Sequence, residues 1–510
     1  MDNFFLPIQL IKNNNNIEDN FYNDLELLEN NDNKGVYNKL FKPNNKYSLH
    51  TLKILTKKYT SDPQFIKDTQ IFIKNNKTNK NNLKTINKAI QVWNSIKNDD
   101  LFLDKFSFIS YEPAQFLNEF APLLSIITFY SIFSPVINLI SPLVILIIPF
   151  ILLKAMGHDI NVTNYVNILY QQLKKFSFFK FFTESNATYQ AKAYYLFCFG
   201  MYIYNIYQNI LSCIDFYKNT KAINKNFKTF DIYCDYTIDK LDFTIDNCKK
   251  LKSYQPFKQQ LKDLKFKLSH FKKSLNDTPR FSINPLNLIR SGMTLKQYYL
   301  LYSLTDINQL LEDTFVFHGF LDNIYNFSSL VKNKKVFKCA ISNKQNTFLE
   351  FNNFYHPSIQ NNCVKNSIKI DKNIIITGPN ASGKTTLIKS TLLNILLVQQ
   401  TGYGFFDTGK LKPFDNLYCY LNIPDTNSRD SLFQAEARRC VNILNKINKS
   451  KKQTHFCIFD ELFSGTNPYE AISSAYSYLN YISKNTNVKF LLTTHFNKLC
   501  EMLNKNEHFI

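Results

Sequence analysis

The sequence predicts a multidomain chain, mostly α-helical through its first two thirds and α/β in its last third. Three observations carry that prediction. The segment from Ile374 to Ser390, "IIITGPNASGKTTLIKS", reads as a strand, a glycine-bearing turn and a helix, the alternation of a parallel-sheet domain. The segment from Leu123 to Leu153 holds no charged residue and exceeds the roughly 20 residues that cross a bilayer. Between the two, apolar residues recur at spacings of three and four, as on one face of a helix. A length of 510 residues, against about 100 to 200 per domain, leaves room for about three domains.

Composition narrows the partners. The formal charge of +21, from 61 basic and 40 acidic residues, suits a phosphate-bearing partner, either nucleic acid or an anionic membrane surface, although a Lys-rich codon bias gives the same sum. Asn, Lys, Ile, Phe and Tyr are abundant and Gly is scarce, so runs such as Asn13 to Asn16 read first as base composition. The ten cysteines form no C-x-x-C pair and no metal spacing with His, which argues against a zinc site or a disulfide framework and for a reducing compartment. Residues 1–30 are polar and acidic and lack the basic-then-apolar pattern of a cleaved leader.

Four segments follow in order. Residues 1–118 read as a helical N-terminal domain, with Leu52, Leu55 and Tyr59 on one stripe and Ile86, Ile90, Trp93 and Ile96 on another. Residues 119–218 form a hydrophobic helical region. Its run from 123 to 153 is too long for one upright helix and short for two crossings, and Pro135, Pro142 and Pro149 recur every seven residues. A kinked or re-entrant membrane hairpin is therefore expected at 123–153, with a buried pair of core helices as the alternative. A second uncharged stretch, Ala193 to Ile214, carries Asn205, Gln208 and Asn209 and reads as either a membrane helix or an aromatic core helix. Lys154, Lys174, Lys175, Lys180 and Lys192 lie between the stretches and disfavour export of that loop. The expected location is thus membrane-associated with the rest cytosolic; a soluble protein of cytoplasm, nucleus or virus factory is the alternative.

Residues 219–333 read as a helical lever. Ile238, Leu241, Ile245, Cys248 and Leu251 make one stripe, and Phe257, Leu261, Leu264, Leu268, Phe271 and Leu275 make another beyond Pro256, as in an antiparallel arm. From Lys249 to Lys273 nine lysines stand against one acid, Asp263, either a solvated face or a phosphate contact. Residues 334–510 open with alternating runs at Val336 to Ile341 and Thr347 to Phe351, ahead of the glycine turn.

That last segment carries the chemistry. Gly378, Gly383, Lys384 and Thr385 satisfy G-x-x-x-x-G-K-[ST] between a strand and a helix. The backbone of Pro379, Asn380, Ala381 and Ser382, with the helix start at Thr385 and Thr386, would cradle phosphates. Lys384 would neutralise the β and γ groups, and the Thr385 hydroxyl would ligate magnesium. The apolar strand "HFCIFDE" ends in Asp460, which would hold the metal, and Glu461, which would polarise the attacking water; helix capping is the plainer role for two such acids. A further strand, "FLLTTH", ends at His495, placed to sense the γ-phosphate, where a structural histidine is the alternative. ATP and Mg2+ are the cofactors implied, and the last third is expected to be a P-loop ATPase domain.

The segment Asp460 to Tyr476, "DELFSGTNPYEAISSAY", with "TGPNASGKTT", "FYHPSI" and "TTHFNKL", resembles the ATPase domain of the MutS mismatch-repair family, itself ABC-like. His356 and Pro357 resemble that family's His-Pro, Gln399 to Phe406 its Gln-x-Gly segment, and "SRDSLFQAEARR" its Ser-Thr-Phe-x-x-Glu signature through Ser431, Phe433 and Glu436. The resemblance covers roughly residues 350 to 500. It implies a homodimer with composite ATP sites, in which Ser431 reaches the other subunit's γ-phosphate and Gly465, Thr466 and Asn467 line the interface. It also implies DNA, duplex or mismatched, held by a helical clamp that ATP moves. Departures accompany it. No separate mismatch-reading domain is evident, and Phe182 and Glu184 match the Phe-x-Glu wedge only as a three-residue pattern. Ala381-Ser382 stand where members carry Met-Gly, and members continue past the His motif. The 123–153 run resembles a MutS-like branch with hydrophobic segments, found in bacteria and large DNA viruses. A membrane-anchored ATPase acting on a protein or lipid partner is therefore the second function expected.

Overall fold

The computed structural model describes residues 3–28, 35–76, 81–157, 161–174, 180, 188–342, 347–359, 363–421 and 431–510; Lys175, Phe182 and Glu184 lie outside them. The chain packs as two compact units, each discontinuous in sequence. One comprises Met1–Leu83, Thr237–Lys267 and Gln309–Ile510, the other Lys84–Tyr236 and Leu268–Asn308.

The first unit begins with α1 (Asp19–Asp24), α2 (Val36–Phe41), α3 (Lys46–Leu55) and α4 (Pro63–Asn75). Asn45 starts α3 by accepting the Tyr47 and Ser48 amides at 3.0 and 2.9 Å; Asp62 and Pro63 start α4, Asp62 taking the Gln64 amide at 2.9 Å. Strands β1 (Asn14–Asn16) and β2 (Lys58–Thr60) pair antiparallel. Tyr59, grouped by sequence with Leu52 and Leu55, therefore lies on a strand and not on their helix. Tertiary partners override the periodicity: Gln400 Nε2 donates to Leu55 O at 2.8 Å and Lys58 O at 2.7 Å, and the Tyr59 hydroxyl donates to Asp415 O at 3.0 Å.

The second unit holds α5 (Leu83–Lys97, of which Leu83 itself falls in the first unit) and α6 (Phe102–Lys105). Ile86, Ile90, Trp93 and Ile96 are buried along α5 as their spacing predicts. Next comes α7, and here the expected hairpin gives way to one continuous helix, Ala121–Ala155, of 35 residues. The recurring prolines do not break it: seven residues are nearly two turns, and the helical backbone continues between them. Ala121–Ile140 is long and apolar enough to cross a membrane, with mean hydropathy 1.9 and 17% of its most apolar stretch buried. A short helix, α8 (Val162–Leu173), precedes α9 (Tyr189–Asn247), a single helix of 59 residues. The uncharged stretch 193–214 lies within α9 and does not form a core helix: Leu196, Phe197, Met201 and Ile203 are all more than half exposed.

Helix α10 (Gln255–Asp277) returns antiparallel to α9, pairing Lys265 with Asp242 at 2.6 Å and Lys272 with Asp235. The apolar stripe of α10 and the residues Leu241, Ile245, Cys248 and Leu251 are buried, as the three-and-four spacing predicts. Helices α11 (Pro285–Ile289) and α12 (Ser291–Ser303) stay in the second unit, and α13 (Thr305–Lys332) leads into the first.

Two sheets complete the first unit. Strands β3 (Phe337–Ile341), β4 (Leu349–Phe354), β5 (Asn366–Ile370), β7 (Tyr403–Gly404) and β8 (Thr408–Leu411) form a mixed sheet of order β5-β4-β8-β3-β7. Strands β6 (Ile374–Thr377), β9 (Asn416–Tyr420), β10 (His455–Asp460) and β11 (Val488–Thr494) form a parallel sheet of order β6-β11-β10-β9. Helices α14 (Lys384–Thr401), α15 (Leu432–Lys449), α16 (Pro468–Ser483) and α17 (Asn497–Asn504) follow its strands. Register sets Thr377 opposite Thr494 and Asp460 opposite Thr493, so β6, β10 and β11 all end at one edge, where ligands of parallel sheets sit.

Candidate functional site

At that edge the chain leaves β6 and turns into α14. Gly383 has φ +91° and caps the helix; a Cβ there would touch nothing, so its dihedral and not space requires glycine. Ala381 adopts the left-handed region without being glycine, at φ +60°, a local strain of the kind kept at binding turns. Lys384 folds back over the turn and is buried, its Nζ donating to Gly378 O at 2.8 Å and Pro379 O at 2.9 Å. Pro379, Asn380, Ala381, Ser382 and Thr386 stay exposed, and the open helix start adds partial positive charge for an anion.

Thr385 and Asp460 meet. The threonine hydroxyl donates to Asp460 Oδ2 at 2.9 Å, and the Thr493 hydroxyl donates to Oδ1. One carboxylate and one hydroxyl form a hard-oxygen donor pair, which fits Mg2+, a cation that takes few protein ligands and fills its shell with water and phosphate. Among the described residues no cluster of three His, Cys, Asp or Glu side chains could hold a metal. Glu461 follows at φ +48° and its amide donates to Thr493 O at 3.0 Å. That turn brings its carboxylate to 3.7 Å from His495 Nδ1, with both side chains partly exposed. Lys384, Thr385, Asp460, Glu461 and His495 thus share the edge of one sheet.

A second assembly stands on α15. Ser431 caps it, accepting the Gln434 amide at 3.3 Å while its own amide donates to the Gln434 side chain at 3.1 Å. Among the described residues no hydrogen bond joins Ser431 to the glycine turn. Glu436, 3% exposed, accepts the Ser464 amide and hydroxyl at 3.1 Å each and the Gly465 amide at 3.3 Å. Phe433 packs on Phe463 with ring centres 5.5 Å apart. A Cβ on Gly465 would meet Leu432 Cγ at 2.6 Å, so glycine is needed for close approach. Asn467 caps α16, taking the Glu470 amide at 3.0 Å, and Thr466 donates to Glu470 at 2.6 Å. Glu436 therefore fixes the 463–467 turn to the helix that Ser431 opens.

Other members escape the motif search. A cleft of about 460 Å³ beside Gly383, Lys384 and Leu387 is walled by Tyr355, His356, Ile359 and Val364. His356 Nδ1 accepts the Ser358 amide at 3.2 Å. Burial, then the charge of Lys389, pushes its pKa down to about 4, so the imidazole is neutral. The His-Pro pair was the only sequence signal for this wall; its apolar members come from loops without pattern. Thr493 was equally silent. Gln399 and Gln400 are structural, Gln399 Nε2 donating to Thr60 O at 2.9 Å and Phe414 O at 2.8 Å.

Comparison with known proteins finds relatives over the part of the chain that carries this site. The family model described as MutS domain V matches residues 374–510. A Fusobacterium nucleatum protein named DNA mismatch repair protein MutS is 32% identical over 200 residues, which are 37% of this chain and 22% of that protein. Its namesake in Borrelia turicatae is 27% identical over 204 residues, covering 38% and 23%. That of Borrelia hermsii is 25% identical over 296 residues, covering 52% and 34%. The chain spans only between about a fifth and a third of the length of these relatives.

Proposed function

Residues 374–510 place this chain in the MutS family, and from that premise we propose that it is a DNA-associated ATPase of the mismatch-repair type. The observation that carries the proposal is the convergence of Lys384, Thr385, Asp460, Glu461 and His495 on the edge of one parallel sheet. On this reading Lys384 exchanges its two carbonyl partners for the β- and γ-phosphates of ATP. The backbone from Gly378 to Thr386 wraps those phosphates, and the cleft of Tyr355, His356, Ile359 and Val364 receives the rest of the nucleotide. Thr385 and Asp460 would hold Mg2+, whose charge offsets that of the phosphates. Glu461 accepts a proton from the attacking water, and His495, beside it, bonds the γ-phosphate.

The Ser431 assembly gives the site its second half. Ser431 makes no hydrogen bond to its own chain's glycine turn and belongs, on this reading, to the site of a partner copy. Gly465, Thr466 and Asn467 line the contact. Closure on ATP would move Glu436 and the 463–467 turn as one piece and so move the α9–α10 lever, whose lysine-rich face would hold duplex or mismatched DNA.

Glu461→Gln tests the core of the proposal. The variant should bind ATP like the parent and lose at least about 100-fold in turnover; equal turnover removes Glu461 as the base. ATP hydrolysis with plain, mismatched and branched DNA across a salt series tests the partner, salt-sensitive stimulation being the expected result.

The exposed apolar helix α7 favours a second reading, an ATPase anchored in a membrane with its nucleotide domain in the cytosol, acting on a protein or lipid partner. Turnover indifferent to DNA but altered by anionic vesicles would select it.

A further inference from the structure

We propose that the apolar groove at the base of α7 holds an acyl chain of an anionic membrane phospholipid, with Arg290 taking the lipid phosphate. The inference rests on the membrane-anchored reading and goes beyond it, because it assigns a site and a ligand class.

The groove lies wholly in the second unit. It measures about 870 Å³ and is walled by Ile126, Phe129 and Phe133 of α7 against Leu288, Ile289 and Met293, within the range of about 300–1,000 Å³ that small-ligand pockets occupy. It is a built feature and not a chance gap. Ser125 Oγ donates to Ile289 O at 2.7 Å and accepts the Gly292 amide at 3.1 Å, which pins α11 and α12 to α7. A Cβ on Gly292 would fall 1.9 Å from Ala121 O, so the backbones meet as closely as they can.

Two observations choose lipid over other occupants. First, one wall is the opening stretch of Ala121–Ile140, which at about 1.5 Å per residue matches a hydrocarbon thickness of about 30 Å. Whatever solvates that helix also fills the groove continuous with it. Tyr111, Phe116 and Phe120, just ahead of α7, are each more than half exposed, the placement of aromatic side chains at a membrane interface. Second, Arg290 is exposed at the groove and forms no ion pair among the described residues. An exposed guanidinium beside an apolar trough matches a phosphate joined to an acyl chain.

The test uses the full chain mixed with phosphatidylcholine vesicles carrying a trace of lipid with a diazirine in its acyl chain, either phosphatidylglycerol or phosphatidylcholine. Flotation measures attachment, and mass spectrometry locates the labelled residues. We expect the chain to float, label to appear between Leu288 and Met293, and the phosphatidylglycerol probe to exceed the phosphatidylcholine probe by about fivefold, the worth of one Arg near a charged surface. That preference should fall to about one in Arg290→Gln, and Met293→Glu, at an exposed position, should remove the label while the chain still floats. Flotation with label on α7 but none between Leu288 and Met293 overturns the groove and leaves the membrane reading standing. Label there without anionic preference, or with preference kept in Arg290→Gln, overturns the role of Arg290. Failure to float overturns both.

Discussion

Replacing Glu436 by Gln tests whether the 463–467 turn is held as the geometry implies. The native carboxylate accepts three hydrogen bonds, from the Ser464 amide and hydroxyl and the Gly465 amide. Glutamine keeps the shape and one acceptor oxygen, but its NH2 replaces the oxygen that faces Gly465 and sets donor against donor. One charge-assisted bond is worth about 1.5–3 kcal/mol, and a buried donor left unpaired costs about 1–3 kcal/mol. Because the turn can relax, about 2 kcal/mol of local destabilisation is expected, an opening equilibrium shifted about 30-fold. Hydrogen exchange followed by mass spectrometry reads it directly: the peptide holding Ser464 and Gly465 should lose about 30-fold in protection while strand β10 keeps its own. ATP turnover should fall with it, since the same turn carries Gly465, Thr466 and Asn467. Unchanged exchange at Ser464 and Gly465 would refute the bonding scheme, and lost protection with full turnover would refute its link to hydrolysis.

Further outcomes follow from other contacts. Lys384→Ala removes the cation that spans the glycine turn and should weaken ATP binding at least about tenfold by equilibrium titration, whereas parental affinity contradicts the phosphate cradle. Asp460→Asn should bind ATP with the magnesium dependence of binding lost, checked by the same titration with and without Mg2+. Arg439 reaches Asp24, both nearly buried, and burial lifts the Asp24 carboxyl above its usual range despite Arg439. Arg439→Met alone should therefore cost about 3–5 kcal/mol, and adding Asp24→Leu should recover most of it, read as urea midpoints. His356 and His318 have pKa values pushed down by burial to about 4 and about 3. The unfolded chain takes these protons first, so stability should be level above pH 7 and decline as pH falls through 6.5. The decline between pH 6.5 and 5, above the carboxylate range, should shrink in His318→Asn.

The candidate site was legible because its motif is written in adjacent residues: glycine, lysine and threonine follow one another at one helix start, and Asp460 and Glu461 end one strand. The stripes on α5, α9 and α10 were legible for a similar reason, since a period near 3.6 is written in sequence. What depended on distant partners was not. Tyr59 left its apparent helix for partners at Asp415 and Leu417, and such bonds leave no periodic trace. Thr493, Tyr355, Ile359 and Val364 reach the site through strand register and loop path. The hairpin expected over 123–153 failed on a physical point: prolines two turns apart bend a helix but need not end it.

The way the first unit is knitted together bears on how the protein can be made. Asn15, Tyr59, Thr60 and Gln70 bond to partners from Cys339 onward, so residues 1–83 lack these partners until the last third emerges. In the interval the ribosome delivers the whole of Lys84–Tyr236, apolar helix included. Contacts so distant in sequence fold slowly and leave hydrophobic faces bare meanwhile. A fragment begun near Val336 would carry every nucleotide-binding motif yet expose the surface those helices cover, so the nucleotide domain should be expressed with residues 1–83 supplied, in cis or as a second chain.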